Sequence, residues 1–202
     1  MTYPVEGDRQ ESAIQLIRRY WKSRGAPNEH LYLIHRLDKD TSGLLVFAKT
    51  SISRQSLRLQ FEQHSVVRCY LAVTNGAPVK PKGEIRTFLA RNPRGKRSVS
   101  RSGKLAITSY EILRANTARN RALVRCRLQT GRTHQIRIHL AHLRAPVVGD
   151  VVYGTAAARR MALHAEALGF YHPRTQQPVV FRTSTPPDLL RLMDFEPERS
   201  RR

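Results

Sequence analysis

The chain has 202 residues, enough for one domain of ordinary size. Its 36 Lys and Arg against 15 Asp and Glu give a formal net charge of +21, far beyond what solubility needs, so the partner it suits is a polyanion: nucleic acid first, an anionic membrane surface second. Cys69 and Cys126 are too few for a disulfide framework, no apolar stretch nears the ~20 residues of a membrane span, and Met1 to Asp8 lacks a signal pattern, so a cytoplasmic protein is expected.

In chain order, Gln10–Lys22 predicts a helix, with Ile14, Ile17 and Trp21 on one face. Gly25–His30 is a loop and Leu31–Ile34 a short strand. Asp38-Lys39-Asp40-Thr41-Ser42-Gly43 is a turn rich in turn formers, followed by a strand over Leu44–Ala48. Thr50 can cap a helix over Ser51–Gln63, with Leu57 and Phe61 on its apolar side. Val66–Thr74 alternates: Val67, Cys69, Leu71 and Val73 make an apolar face, with Arg68, Tyr70, Ala72 and Thr74 opposite. Asn75-Gly76 ends it. Gly83–Ala90, Leu105–Leu113 and Ala122–Gln129 predict further strands. In the last of these, Ala122, Val124, Cys126 and Leu128 form the apolar set.

Thr133–Leu143 reads as a helix with Ile136, Leu140 and Leu143 on one stripe, and another helix is expected within Ala156–Leu168. Phe181–Ser184 is a short strand and Asp188–Met193 a last helical turn. The basic, turn-rich stretches Arg91–Lys104 and Pro197–Arg202 are expected to be exposed. Strands outnumber helices without regular strand-helix-strand alternation. The expected fold is therefore α+β: a central mixed, mainly antiparallel sheet with flanking helices, in a single domain over 1–202.

The ordinary enzyme constellations are missing. There is no Gly-rich phosphate loop, and neither Ser42-Gly43 nor Ser102-Gly103 has the setting of a nucleophile elbow. His134, His139 and His142 lack metal-ligand spacing with an acidic partner, so no metal is expected and they read as surface or RNA-facing histidines. Both cysteines fall at apolar positions and read as core residues. The Asp38 turn remains. It is either an ordinary charged turn, with Asp40 bonding nearby amides, or a carboxylate flanked by Arg36 at the mouth of a sheet.

The run His35-Arg36-Leu37-Asp38-Lys39-Asp40-Thr41-Ser42-Gly43-Leu44-Leu45, continuing to Thr50, closely resembles the catalytic motif of the RluA-type RNA pseudouridine synthases. Arg68-Cys69-Tyr70-Leu71-Ala72-Val73 resembles the family's tyrosine strand, and Leu128-Gln129-Thr130-Gly131-Arg132-Thr133-His134-Gln135-Ile136-Arg137 its second hallmark. Pro146–Gly154, Leu163–Leu168 and Phe170–Pro173 follow in the family's order, so the resemblance covers nearly the whole chain.

That resemblance implies conversion of uridine in RNA to pseudouridine without metal or organic cofactor, in a cleft across the sheet. It makes Asp38 the carboxylate acting at C1′, either covalently or by abstracting a sugar proton. It makes Tyr70 the active-site tyrosine and Arg137 the arginine paired with the aspartate. Arg36 would help hold the target base out of the stack, with His35, Arg68 and Arg132 as further substrate contacts. Arg94, Lys96, Arg97, Arg101 and Lys104 form a basic loop expected to meet phosphates. The expected partner is a stem-loop of transfer or ribosomal RNA, bound by a monomer, because high like charge opposes self-association. Two departures stand out. Arg68 occupies a position where the family usually has lysine. Met1–Gly7 lacks an Asn-Lys-Pro-x-Gly-like segment, so the N-terminal strand and an upstream accessory domain are expected to be absent. The rivals are a catalytically impaired RNA-binding or RNA-folding protein of the same fold, and a generic basic nucleic-acid-binding protein.

Overall fold

The computed structural model describes residues 12–25, 30–154, 158 and 160–194. Helix α1 (Ala13–Ser23) starts with a reciprocal cap: Ser12 Oγ accepts from the Gln15 amide, and the Gln15 side chain accepts from the Ser12 amide at 2.7 Å. Strands β1 (Tyr32–Leu33) and β3 (Phe47–Ala48) form a small antiparallel ribbon, with β2 (Ser42–Gly43) between them in sequence. Helix α2 (Ser51–Glu62) is capped by Thr50, whose hydroxyl accepts from the Ser53 amide at 3.1 Å, as its position predicts.

The large sheet is built from β4 (Val67–Asn75), β5 (Lys82–Arg91), β6 (Arg97–Ser100), β7 (Lys104–Asn116), β8 (Arg121–Leu128), β9 (Leu163–Tyr171) and β10 (Pro178–Arg182). Its order is β10-β9-β4-β8-β7-β5-β6, with β2 attached to β9. Every pairing is antiparallel except β2 with β9, so the expected mixed, mainly antiparallel sheet holds. Helices α3 (Gln135–His142) and α4 (Pro187–Arg191) complete the described elements. Among the described residues no helix is long and apolar enough to cross a membrane.

Four expectations need correction or fall outside this description. The helix expected within Ala156–Leu168 is strand β9 from Leu163 onward. Lying between β10 and β4, it is buried almost without interruption, His164 included, so its sequence carries no clean apolar-polar alternation to mark a strand. Arg91–Lys104 is more than a loop: β6 pairs with β5 from Phe88↔Ser100 to Arg91↔Arg97, making a two-stranded arm whose basic side chains still face water. The alternation in β4 does not separate a core face from a polar one, because Leu71 and Val73 are as buried as Tyr70, Ala72 and Thr74. Tyr70, Ala72 and Thr74 sit opposite Cys126, Val124 and Ala122 on the main core side, while Cys69 is only half-buried on the other. Alternation sorts residues into two sets but cannot say which set meets the core when neighbours cover both. The N-terminal strand and the 197–202 tail lie outside the described residues.

Besides a small cluster of Leu89, Ala106 and Ile138, two larger apolar cores flank the sheet. One packs α3 and α4 on Tyr70, Ala72, Val124 and Cys126; the other packs α2 and the β1–β3 ribbon on Leu168 and Phe170. Strand β9 serves both, with Leu163 and Ala165 in the first and Leu168 and Phe170 in the second. Its register against β4 shifts between Cys69 and Tyr70, leaving Glu166 as the extra residue of a bulge. A cleft opens where the two cores meet.

Candidate active site

The Asp38 turn is fixed by backbone at both ends. The Thr41 amide donates to the Asp38 carbonyl at 3.0 Å, and the Leu44 amide to the Ala165 carbonyl at 3.0 Å. Gly43 makes this docking possible: its φ is +112°, and a Cβ there would run into the Ala165 carbonyl. Ser42 Oγ accepts from Arg160 Nη2 at 2.5 Å and meets His164 Nδ1 at 2.7 Å.

Helix α3 brings Arg137 to this turn. Its Nη1 lies 3.3 Å from Asp38 Oδ2, while Nε and Nη2 donate to the two oxygens of Asp150 at 2.7 and 2.8 Å. Asp150 is fully buried and also accepts the amides of Val152 and Tyr153 at 2.9 and 3.1 Å. Its loop closes at Gly149, where φ is +74° and a Cβ would strike the Arg160 carbonyl. Burial opposes the charge on Arg137, but Asp150 and Asp38 more than offset it and hold the guanidinium above its ordinary pKa. Burial would also raise Asp150, yet the Arg137 and amide hydrogen bonds win and keep it below the usual carboxylate range. The Tyr153 ring lies 5.1 Å from the Arg137 guanidinium carbon. Its hydroxyl meets His134 Nδ1 at 3.0 Å, and His134 Nε2 stands 4.0 Å from Asp38 Oδ1.

The cleft beside Asp38 holds about 760 Å³ and is lined by His35, Arg36, Asp38, Arg68, Tyr70 and Arg132, so the residues expected to meet the target base share one cavity. Tyr70 is buried at its wall; burial pushes its phenol up to about 12 despite the pull of Arg68, so it stays protonated at neutral pH. His35 is lowered to about 4 by burial and by Arg68, which keeps it neutral. Its Nε2 accepts the Val46 amide at 3.2 Å and its ring stacks on Phe61 at 4.7 Å, so it forms a wall of the cleft and is no proton donor. Arg68 is buried over Phe61; it donates from Nη2 to the Gln129 carbonyl at 3.3 Å, and its Nε finds no partner among the described residues. Arg132 Nε donates to the Leu105 carbonyl at 2.9 Å, and Arg36 stands exposed at the rim.

A second, basic cavity of about 470 Å³ lies on the far side of His134. Arg91, Arg94, Lys96 and Arg97 line it from the β5–β6 arm, with Tyr153 at its base. Lys96 donates to the Val152 carbonyl at 2.5 Å and lies 4.9 Å over the Tyr153 ring. Arg101 and Lys104 are exposed farther along the chain and line neither cavity.

Sequence reasoning missed three members of this site. Asp150, Tyr153 and His134 surround Arg137, yet no local spacing links them to Asp38; the signals were the dense Gly149-Asp150-Val151-Val152-Tyr153-Gly154 run and, for His134, its place in the run that ends at Arg137. The surface reading of the histidines holds for exposed His142 and partly exposed His134 and is corrected for His139. His139 is wholly buried, with its ring nitrogens 2.9 Å from Thr108 and 3.0 Å from Thr87, and burial together with His142 lowers it to about 4. It clamps α3 to the sheet. Among the described residues no three His, Cys, Asp or Glu side chains converge as a metal site requires.

Comparison with known proteins places this geometry. The profile of the RNA pseudouridylate synthase family matches residues 2–142. The chain is 41% identical over 191 residues to ribosomal large subunit pseudouridine synthase D of Xanthomonas campestris, covering 84% of this chain and 56% of that protein. It is 40% identical over 167 residues to the uncharacterized RNA pseudouridine synthase YlyB of Bacillus subtilis, covering 80% of this chain and 54% of that one. The chain thus spans little more than half the length of these relatives. Among solved structures, human RNA pseudouridylate synthase domain containing 1 superposes with a TM-score of 0.74 at 26% identity, covering 86% of this chain and 74% of the other.

Proposed function

We propose, from the premise that the chain belongs to the RNA pseudouridylate synthase family, that it isomerises uridine in structured RNA to pseudouridine with Asp38 as the catalytic carboxylate. The observation that carries this is Asp38 itself: a carboxylate fixed by its turn, 20% exposed, held at one oxygen by a buried arginine and open to the cleft.

Breaking the N1–C1′ bond builds positive charge on the sugar and negative charge on the uracil. Asp38 meets the sugar side of that charge. Arg137 aims Asp38 with a single hydrogen bond, because Asp150 already takes the other two guanidinium donors. The freed uracil turns, C5 bonds to C1′, the C5 proton leaves and N1 ends protonated, so atoms and charge balance. Tyr70 offers a ring face to the base and, as a neutral phenol, a hydroxyl that assists the departing proton. Arg36 at the rim holds the flipped nucleotide out of its helix, with His35, Arg68 and Arg132 lining its path.

Arg94, Lys96 and Arg97 in the basic cavity, with Arg101 and Lys104 beyond it, take backbone phosphates. Ribosomal RNA is the favoured substrate over transfer RNA, because the relative from Xanthomonas campestris carries the name of a ribosomal large subunit enzyme. The working unit is one catalytic domain, acting as a monomer in the cytoplasm.

Tritium release from ribosomal and transfer RNA labelled at uridine C5, with Asp38→Asn beside the parent, tests this. Release that disappears with Asp38→Asn supports the isomerase. RNA binding with no release from either pool would replace it with an RNA-binding protein of the same fold.

A further inference from the structure

Asp38 has two carboxylate oxygens, and Arg137 engages only Oδ2. A carboxylate held at one oxygen keeps considerable freedom about χ2, a broad, roughly two-fold torsion. The other oxygen faces His134, whose Nε2 stands 4.0 Å away. That is longer than a hydrogen bond, as catalytic contacts often are before substrate binds, and a small rotation of either side chain closes it.

The direction of that contact follows from the far side of the ring. The Tyr153 hydroxyl lies 3.0 Å from His134 Nδ1, and burial holds the phenol above its ordinary pKa, so it keeps a proton to donate. A neutral phenol can also accept, but the Nδ1–H tautomer would set the Nε2 lone pair against the Asp38 carboxylate; the favourable arrangement has Nδ1 accepting from Tyr153 and the imidazole proton on Nε2, facing Asp38. Tyr153 is itself pinned through its amide to Asp150 and stacked under Arg137. The chain Tyr153–His134–Asp38 and the chain Asp150–Arg137–Asp38 therefore start in one loop and end on different oxygens of one carboxylate.

The backbone at His134 points the same way. It stands in the left-handed region at φ 57, immediately before α3, and makes no side-chain capping bond there. A non-glycine residue in that conformation carries a cost, and helix capping does not offset it.

We propose that His134, fixed as its Nε2–H tautomer by Tyr153, is a positioning residue that holds Oδ1 of Asp38 while Arg137 holds Oδ2, locking the carboxylate plane for its work at C1′. This rests on Asp38 being the catalytic carboxylate.

The test measures tritium release under single-substrate kinetics for the parent, His134→Ala and His134→Gln. Both variants bear the same backbone strain, so the difference between them isolates the donor; the glutamine amide can reach the place of Nε2. The Ala variant should lose on the order of 10- to 100-fold in kcat with KM within about twofold, less than the loss of an oxyanion-hole donor. The Gln variant should recover most of that loss. A His134→Ala enzyme with unchanged kcat, or a Gln variant as slow as Ala, would overturn the positioning role while leaving the isomerase intact. An inactive parent would take down both readings.

Discussion

Arg137 holds one carboxylate from the turn after β1 and another from the loop after α3, and it holds them in different ways. Asp150 is fully buried and receives two guanidinium donors and two backbone amides, all within 3.1 Å. Asp38 receives one donor at 3.3 Å and keeps 20% of its side chain exposed to the cleft. Fully buried and met by four donors, Asp150 is closed to a substrate and serves as the counter-charge. That arrangement spares Asp38 from quenching the arginine alone and leaves its remaining lone pairs available. One cation thus supports a buried structural carboxylate and one that stays open to the cleft, and burial separates them.

The most direct way to break that contrast is to neutralise each carboxylate in turn. Asp38→Asn should cost more than about 1,000-fold in turnover, with RNA affinity within about threefold and a melting temperature within a few degrees of the parent. Appreciable residual tritium release would remove Asp38 from the chemistry. Asp150→Asn leaves a buried guanidinium short of its main partner and should cost about 3–5 kcal/mol of stability. For a chain of this size that lowers Tm by roughly 10 °C. A calorimetric scan matching the parent would show that the two carboxylates are interchangeable supports.

Acid stability separates the two regions by pH. His139 is lowered to about 4 and His35 likewise, so each binds its proton more weakly in the folded state than in the unfolded one. Their contribution is full above about 6.5 and is lost as pH falls from there toward 4. Asp150, held below its ordinary value, contributes above that value and is lost only as pH falls through its lower, folded one. Melting curves should therefore begin to drop between pH 6.5 and 4, before the Asp150 pair titrates. His139→Gln should shrink that first drop, and an unchanged profile would remove His139 from it.

The smallest effect on the chemistry should come from the arm. Changing Arg94, Lys96, Arg97 and Arg101 to Gln should lower the magnitude of the slope of log affinity against log salt by roughly 3. It should leave turnover at saturating RNA near the parent value. An unaltered slope would mean the arm does not meet phosphate.

Local chemistry made much of this legible in advance. The Thr50 cap, the turn at Asp38, the strands flanking Asn75-Gly76 and the antiparallel character of the sheet follow from turn formers, capping residues and period-two patterns that act within a few residues. The residue runs around Asp38, Tyr70 and Arg137 each resembled a known family's motif strongly enough to nominate those three, and the structure draws them to one cleft and its edge. Strand β9 escaped because, covered on both sides, it carries no alternation. Tyr70 was set opposite the apolar face, whereas both sets of β4 residues find cover.

The chain by itself determined which residues carry charge, where it turns and which segments with clear alternation are extended, since those depend on neighbours in sequence. Only the tertiary structure decided what surrounds each charge. The partners of Arg137 come from a turn about a hundred residues earlier and a loop after its own helix, and whether a carboxylate braces the fold or faces a substrate depends on how much water and how many donors that packing leaves it.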